Sequence, residues 1–351
     1  MAYTTIDDPS AYFQTTLYTG SGGSTQSVVN GGNSDLQPDL VWVKNRTDAR
    51  WHRLVDSSRG ASKNLYSNET DAEGTEASVT AFNSDGFSLG TDTGSDGWNE
   101  DGDAHVAWQW KANGGTTASN TDGSITSTVQ ANTTAGFNIV QYVGNGSSGA
   151  TFGHGLGVAP EVVILKNRDT ARSWFVGHLS LGFNFITHLN QTTASDEDSV
   201  YWNNTAPSST VVTLGNNEGG NENTNNFVAY CFKEIQGYSK FSSYTGNGST
   251  DGAFIYTGFK PAWVMIRATD IDEWRIYDNK RANPFNVIDV RLKAESTAAE
   301  SQDDNECDFL SNGIKLRSNS GGVNSSGQTY IYMAFAESPF VSSKGVPTTA
   351  R

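Results

Sequence analysis

The sequence predicts an all-β protein made of three tandem β-sandwich domains of the jelly-roll type. Three observations lead to this prediction: a strand pattern that occurs three times, a composition rich in Gly, Ser, Thr and Asn, and frequent turn signals. Only 36% of the 351 residues are apolar and 17% are charged. That composition differs from those of disordered chains and helical bundles, and the length suits three domains of ordinary size.

Each copy of the pattern contains an apolar run that is opened by proline, ends in a basic residue and is followed by tryptophan. The three copies are Pro38 to Lys44 with Trp51, Pro160 to Lys166 with Trp174, and Pro261 to Arg267 with Trp274. Four consecutive apolar residues leave a strand without a polar face, so each run is predicted to be covered on both sides. We expect the basic residue to end this strand and the tryptophan to begin the next one.

Each copy ends in a strand with large residues on one face and alanine on the other. The large residues are Val106, Trp108 and Trp110, then Val228, Tyr230 and Phe232, then Met333, Phe335 and Glu337; the alanines are Ala107, Ala229 and Ala334. Small residues allow a second sheet to approach closely, so the pattern predicts a central strand of a sandwich.

The period of the repeat divides the chain into domains. A period of about 100 residues indicates tandem domains, because solenoid units have about 20 to 50 residues. The predicted parts are an N-terminal arm 1–12, a first repeat 13–111, a Gly/Thr/Ser linker 112–136, a second repeat 137–233, a third repeat 239–337 and a C-terminal tail 338–351.

Charge and local composition exclude several classes of partner. The net charge of −15 would repel phosphate backbones and anionic lipids, so neither nucleic acid nor a membrane is an expected partner. The first residues have no basic region and no apolar core of a secretory signal, which predicts synthesis in a cytoplasm without a signal peptide. No apolar stretch approaches the length of a membrane-spanning helix. Cys231 lies within a core strand pattern and is predicted to be a buried free thiol.

Motifs of catalysis are absent from the sequence. There is no HExxH motif, nucleophile elbow, P-loop or dinucleotide fingerprint, and the five histidines occupy unrelated positions of the repeat. The sequence therefore predicts a protein that is not an enzyme. A glycoside hydrolase stays open as an alternative, because the two carboxylates of such a site usually come from distant strands.

One acidic loop offers oxygen ligands for a hard cation. Residues 92–103 place Asp96, Asn99, Asp101 and Asp103 among glycines that allow the chain to curl. These residue types suit Ca²⁺, although the spacing is not that of an EF-hand. The alternative is an ordinary polar hairpin loop.

Two tryptophans lie among polar loop residues and are candidates for glycan binding. Trp98 and Trp202 do not fit the strand alternation, and Asn203 and Asn204 follow the second of them. An exposed indole can stack on the C–H face of a sugar while amides bind its hydroxyls. The alternative is that each ring folds back over its own sandwich.

Several motifs together resemble a known family. The segments YTGNG at 244–248, PDLVWVKNR at 38–46, SDGFSLG at 84–90 and HVAWQWK at 105–111 are similar to the repeated domain of tailed-bacteriophage virion proteins, especially those of marine phages. The ending at 330–351 is similar too, so the resemblance covers residues 13–351. It implies concanavalin-like sandwiches and a virion location, but no catalytic residues.

The resemblance implies a structural protein on the outside of the particle, as a tail fibre, appendage or head decoration. The expected partners are other virion proteins and a host-surface polysaccharide, to which variable loops would adhere. Two alternatives stay open: a capsid cement or connector that binds only virion proteins, and a polysaccharide depolymerase. Three copies also allow a homotrimer, or a single chain that imitates a trimer.

Overall fold

The structure is a computed structural model that describes residues 2–93, 97–281 and 286–348, apart from the side chains of residues 303–305. A 3₁₀ helix at Pro9–Ala11 precedes the first repeat. The first repeat contains β1 Phe13–Thr19, β2 Gln26–Val28, β3 Leu40–Asn45, β4 Arg53–Asp56, β5 Lys63–Asn64, β6 Gly74–Thr75, β7 Val79–Phe82, β8 Phe87–Leu89 and β9 Ala104–Trp110.

The linker and the second repeat contain further strands and two short helices. The elements are β10 Ala118–Asn120, β11 Ser127–Asn132, β12 Phe137–Val143, β13 Thr151–Gly153, β14 Val162–Asn167, β15 Phe175–His178, β16 Phe185–His188, β17 Asp196–Glu197, α1 Ser199–Trp202, β18 Val211–Thr213, α2 Glu218–Asn221 and β19 Asn226–Phe232.

The third repeat has the same plan. Its elements are β20 Ser239–Thr245, β21 Phe254–Tyr256, β22 Phe259–Ala268, β23 Arg275–Asp278, β24 Ile288–Lys293, β25 Ser301–Leu310, β26 Gly313–Leu316, α3 Gly321–Asn324 and β27 Thr329–Pro339. The all-β prediction is confirmed, since the three α-helices among the described residues have four residues each. Within the described residues, no helix is long and apolar enough to cross a bilayer.

Each repeat builds an inner sheet with the same antiparallel strand order. The orders are β1-β9-β3-β4, β12-β19-β14-β15 and β20-β27-β22-β23. The apolar runs that the proline opens form β3, β14 and β22, and they are buried on both faces as predicted. Smaller pairings cover the outer face, such as β2-β8-β7 in the first repeat and β13-β18 in the second.

The two faces of each inner sheet belong to different cores. Along β3, Leu40 and Trp42 enter one large core, whereas Val41 and Val43 enter a small core inside the first repeat. The second and third repeats divide their residues in the same way. Because side chains alternate along a strand, one apolar run can supply both cores. The three repeats therefore surround a shared core rather than lying in a line.

An aromatic triangle marks the centre of the shared core. Trp110, Phe232 and Phe335 occupy the same position in β9, β19 and β27, opposite the first apolar residue of the neighbouring strand. Their ring centroids lie 6.4, 5.7 and 6.0 Å apart, in edge-to-face arrangements. Such arrangements add to the stabilisation from burial. The repeats thus have an approximate threefold relationship at this point.

The register of the second strand differs from the prediction in the first repeat. The strand pairing aligns His52, not Trp51, with Trp174 and Trp274. Trp51 lies one residue earlier and is 38% exposed, and its ring centroid lies 5.2 Å from that of Tyr66. Neighbouring residues of a strand point to opposite faces, so this single step moves the indole out of the shared core.

The predicted alignment of the third repeat is wrong by two residues. Met333 lies opposite Met265 as Trp108 lies opposite Trp42, so Tyr332 is the counterpart of Ala107 and Ala334 is not. A shift of two residues keeps every side chain on its face, and alternation alone could not detect it. The division of the chain into domains stays a prediction.

One other expectation needs correction. Lys44 and Lys166 do not end their strands but lie inside β3 and β14 and are fully buried. The predicted linker 112–136 forms β10 and β11, and β11 extends the sheet of the second repeat beside β12. Both cysteines are buried free thiols, as expected for Cys231.

Candidate functional site

The two tryptophans proposed for glycan stacking are buried. Trp202 ends α1 and packs inside the second repeat, with its ring edge-on to Phe183 at 5.6 Å. Trp98 is only 4% exposed, and the guanidinium of Arg53 lies 5.3 Å from its ring centroid. Neither ring presents a face to solvent, so the expectation of two exposed stacking platforms is wrong.

The two asparagines after Trp202 remain accessible. Asn203 and Asn204 both adopt left-handed backbone conformations with φ of 51°, and Asn203 caps α1. The Asn203 Oδ1 atom accepts a hydrogen bond from the Ser148 hydroxyl at 2.9 Å, whereas Asn204 is exposed. Asparagine tolerates this conformation better than most residues, which explains its presence at the turn. A role in glycan binding stays a prediction.

The three predicted calcium ligands within the described residues do not gather around one point. Asp96 lies outside the described residues, and Asp101 is exposed. Asn99 is fully buried, where its side-chain oxygen accepts from the Ser21 N–H at 2.8 Å and its amide donates to the Gly90 carbonyl at 2.9 Å. Asn221 and Asn324 hold equivalent loops in the other repeats. Asn99 is therefore a structural residue, not a free ligand.

Asp103 does lie in an acidic cluster, but with different partners. Ligand oxygens of Asp48, Glu100 and Asp103 lie within 4.8 Å of one another. Arg50 binds both carboxylate oxygens of Glu100 at 2.7 Å, and the Asn45 amide donates to Asp103 at 2.7 Å. A cation would have to compete with the guanidinium for the same oxygens. Calcium binding stays a prediction.

The best-defined polar sites lie at the three seams between repeats. Lys44 Nζ in the first repeat donates to the Thr297 carbonyl of the third at 3.0 Å. Lys166 Nζ in the second donates to the Thr70 carbonyl of the first at 2.9 Å. Arg267 in the third donates to the His188 carbonyl of the second at 2.8 Å. Equivalent basic residues thus link the repeats in a closed cycle.

Burial strongly lowers the pKa of these three basic groups. It lowers the pKa of both Lys44 and Lys166 to about 7, and it lowers the pKa of Arg267 to about 10. The carbonyl oxygens around each group act against this effect because they favour the charged form. Buried cations that are bound by carbonyls are costly to remove, since the acceptors would remain unpaired.

A second cycle uses the ring N–H groups that precede the fourth strand of each inner sheet. The Trp174 indole donates to the Tyr66 carbonyl at 2.8 Å, and the Trp274 indole donates to the His188 carbonyl at 2.9 Å. In the first repeat, His52 Nε2 lies 3.0 Å from the Lys293 carbonyl, while its Nδ1 accepts from the Trp42 indole at 2.8 Å. That network requires the neutral imidazole, and burial lowers the pKa of His52 well below its usual value.

A third cycle joins the loops after the buried cations. Backbone N–H groups of Glu300, Glu73 and Ser195 donate to the carbonyls of Arg46, Arg168 and Thr269, at 2.9, 2.8 and 2.9 Å. Two of these seams add side-chain ion pairs. Both oxygens of Glu300 accept from Arg46 at 2.8 Å, and Glu73 and Arg168 form the same bidentate pair at 2.8 and 3.0 Å.

The third seam lacks both charges. Thr269 stands in place of the arginine, and Ser195 stands in place of the glutamate. Because both partners are replaced together, no unpaired charge is left at the seam. A single unpaired charge in this partly buried position would be costly. The three seams are therefore equivalent in backbone geometry but differ in chemistry.

The side chain that accepts from the backbone N–H just before the fourth strand, here called the capping position, differs in the third repeat. Asn68 and Asn190 accept from the backbone N–H groups of His52 and Trp174 at 2.8 and 2.9 Å. Glu295 takes this place in the third repeat and accepts from the Trp274 N–H at 2.9 Å. Burial raises the pKa of Glu295 to about 7.

Sequence reasoning located the buried cations but missed their partners at the seams. The triplet KNR occurs at 44–46 and again at 166–168, and this shared arginine was the available signal for a repeated ion pair. Its partners Glu73 and Glu300 lie in loops of unequal sequence, so no pattern connects them to the arginines. Only the arrangement of the repeats brings them together.

Comparisons with known proteins give one result. A comparison with curated proteins finds no significant match, and a comparison with solved structures also finds none. Residues 8–339 match DUF7483, which is described as a domain of unknown function. This range runs from the residue before the 3₁₀ helix to the last residue of β27, so it includes all three repeats and the linker. The chain belongs to the DUF7483 family.

Proposed function

We propose that the protein is a structural component of a bacteriophage particle, and that the three repeats of one chain take the place of the three subunits of a trimer. The aromatic triangle of Trp110, Phe232 and Phe335 carries this proposal, because equivalent residues of three repeats meet at one point. The three cycles of seam contacts support it. The phage assignment itself depends on the resemblance of the repeat motifs.

A single-chain block of this kind suits a threefold or sixfold position of a particle. Its approximate threefold symmetry matches three equivalent contacts on the particle surface at such a position. Covalent linkage of the repeats also avoids the entropy cost of assembling three chains. The unequal seams and loops leave one chain free to make unequal contacts. The protein would therefore act as a head decoration or as part of an external tail appendage, with other virion proteins as partners.

Adhesion to a host-surface polysaccharide is a second role for the same block. The accessible turn at Asn203 and Asn204 favours it, since exposed amides can bind sugar hydroxyls without a stacking ring. Rigid sheets with loops that differ between copies suit variable recognition. The acidic surface favours neutral or basic partners over nucleic acid.

Cryo-electron microscopy of the particle tests the proposal directly. We expect one chain per site, with the approximate threefold axis aligned with a symmetry axis of the shell or tail. A chain whose three repeats follow one another along a fibre would contradict it.

Three functional measurements separate the alternatives. Loss of the protein should reduce host adsorption if adhesion is its role, and should reduce thermal stability of the particle if it is a cement. Asn203→Ala with Asn204→Ala tests adhesion, with Asn319→Ala, at an exposed asparagine of the third repeat, as the matched control. Release of oligosaccharides from host polysaccharide by the purified protein would indicate a depolymerase instead.

A further inference from the structure

A cleft of about 480 Å³ runs along the outer edge of β1, between the first and third repeats. Thr15 and Leu17 line one side, and Ala262, Asn279 and Lys280 line the other. Leu17 is 39% exposed although its neighbours at the start of β1 are buried. The cleft therefore combines an apolar surface with the edge of a sheet.

β1 is an edge strand, and its outward backbone groups are available. It is the terminal strand in the order β1-β9-β3-β4. The Gly20 N–H donates to the Asp103 carbonyl, and the Lys111 N–H donates to the Tyr12 carbonyl. The even-numbered residues of β1 therefore direct their backbone N–H and C=O groups toward β9. In an antiparallel ladder the alternate residues point the other way, so Thr15 and Leu17 direct their N–H and C=O groups toward the cleft.

The equivalent edge in the second repeat is already occupied. There β11 of the linker pairs with β12, the counterpart of β1, and Gln130 lies opposite Ile139. The Gln130 amide donates to the hydroxyls of Ser57 and Ser58 at 2.9 and 2.7 Å. The added strand thus bridges two repeats as well as extending a sheet.

The cleft has counterparts of these residues, but among the described residues no strand pairs with the outer edge of β1. By strand register, Asn279 and Lys280 of the third repeat correspond to Ser57 and Ser58 of the first, and Thr15 corresponds to Ile139. The residues that Gln130 contacts in one seam therefore have direct counterparts in the other.

Two polar atoms in the cleft have no partner within the described residues. Thr15 Oγ1 and Asn279 Oδ1 are buried and make no hydrogen bond to any of those residues, and Thr15 is only 8% exposed. Buried polar atoms normally have a partner, and an unpaired one is costly. A strand that placed an amide opposite Thr15, as β11 places Gln130 opposite Ile139, would bring a donor to both atoms.

We propose that this cleft binds an extended strand of another polypeptide, which adds to β1 as β11 adds to β12. The occupant is an uncharged segment with the chemistry of Ser127–Asn132, in which small and apolar residues alternate with a central amide. Addition of a strand to a free edge is an established mode of peptide recognition. The inference goes beyond the proposed function, because it depends on the internal comparison of two repeats and not on a particle.

The test uses the full chain and a synthetic peptide of residues 123–135, acetylated and amidated, with a fluorescent label. We expect saturable binding by anisotropy, together with slower amide hydrogen exchange at residues 13–19 and no change at residues 239–245. The peptide carrying Gln130→Leu should bind about fivefold more weakly, because it loses the amide donor.

Variants of the protein complete the test. Asn279→Ala should weaken binding about fivefold, whereas Asn223→Ala, at an exposed residue of the second repeat outside the cleft, should leave it unchanged. Absence of binding at about 1 mM peptide, protection at residues 239–245 instead of 13–19, or equal binding of both peptides would overturn the proposal. The peptide variant keeps the test decisive if Asn279→Ala does not fold.

Discussion

Glu295 provides a test of the repeat alignment that sequence comparison alone could not design. It occupies the capping position that Asn68 and Asn190 fill in the other repeats, and its carboxylate accepts from the Trp274 N–H at 2.9 Å. An amide performs this task without charge. We therefore predict that Glu295→Gln preserves the hydrogen bond and removes a pH-dependent cost.

The magnitude follows from the pKa. Burial raises the pKa of Glu295 from 4.5 to about 7, so the folded state holds the proton more tightly than the unfolded state. The contribution of the protonated Glu295 carboxyl to the free energy of unfolding is therefore complete below pH 4.5 and is lost as the pH rises through 7. At about 1.4 kcal/mol per pH unit, the total difference is about 3 kcal/mol.

Urea denaturation of both proteins between pH 4 and pH 8 measures this effect. Glu295→Gln should equal the wild type within about 0.5 kcal/mol at pH 4 and exceed its free energy of unfolding by up to about 3 kcal/mol at pH 8. Subtraction of the two curves cancels all other titrating groups. A difference that stays constant across this range would refute the reasoning.

Three further predictions concern the seams. Lys166→Met should lower the free energy of unfolding by about 3 kcal/mol at pH 7, because the Thr70 and Arg172 carbonyls lose their donor. Lys260→Met, at the surface pair with Glu337, should cost less than about 1 kcal/mol, and equal losses would contradict the seam assignment. A double-mutant cycle of Arg168→Thr and Glu73→Ser should give a coupling energy of about 1 to 2 kcal/mol, and additive effects would argue against the pair. Because the repeats share a core, calorimetry should record one unfolding transition with equal calorimetric and van't Hoff enthalpies; separate transitions would mean independent domains.

The strands themselves were largely predictable from the sequence. In β3, four consecutive apolar residues from Leu40 to Val43 include two β-branched valines, which is sufficient to indicate a buried strand. The hairpin between Val79–Phe82 and Phe87–Leu89 follows from an Asp-Gly turn, where Gly86 has a φ of 94°. Local chemistry decides such features, so a local pattern detects them.

The candidate sites were predicted less well. Trp98 and Trp202 do not fit the strand alternation of the sequence, but each ring packs inside its own repeat among residues distant in sequence. Asn99 has the ligand chemistry of a calcium loop, yet its buried amide is used to hold that loop. Residue type indicates which bonds a side chain can make, whereas burial decides which bonds it does make.

The sequence by itself determined that this chain repeats one strand pattern three times and is all-β. It also identified Lys44, Lys166 and Arg267 as equivalent residues, although not their task. Only the tertiary structure decided that the apolar faces meet in one shared core and that these cations cross the seams. The physical reason is that alternation specifies which residues share a face, while the surface that covers this face comes from another part of the chain.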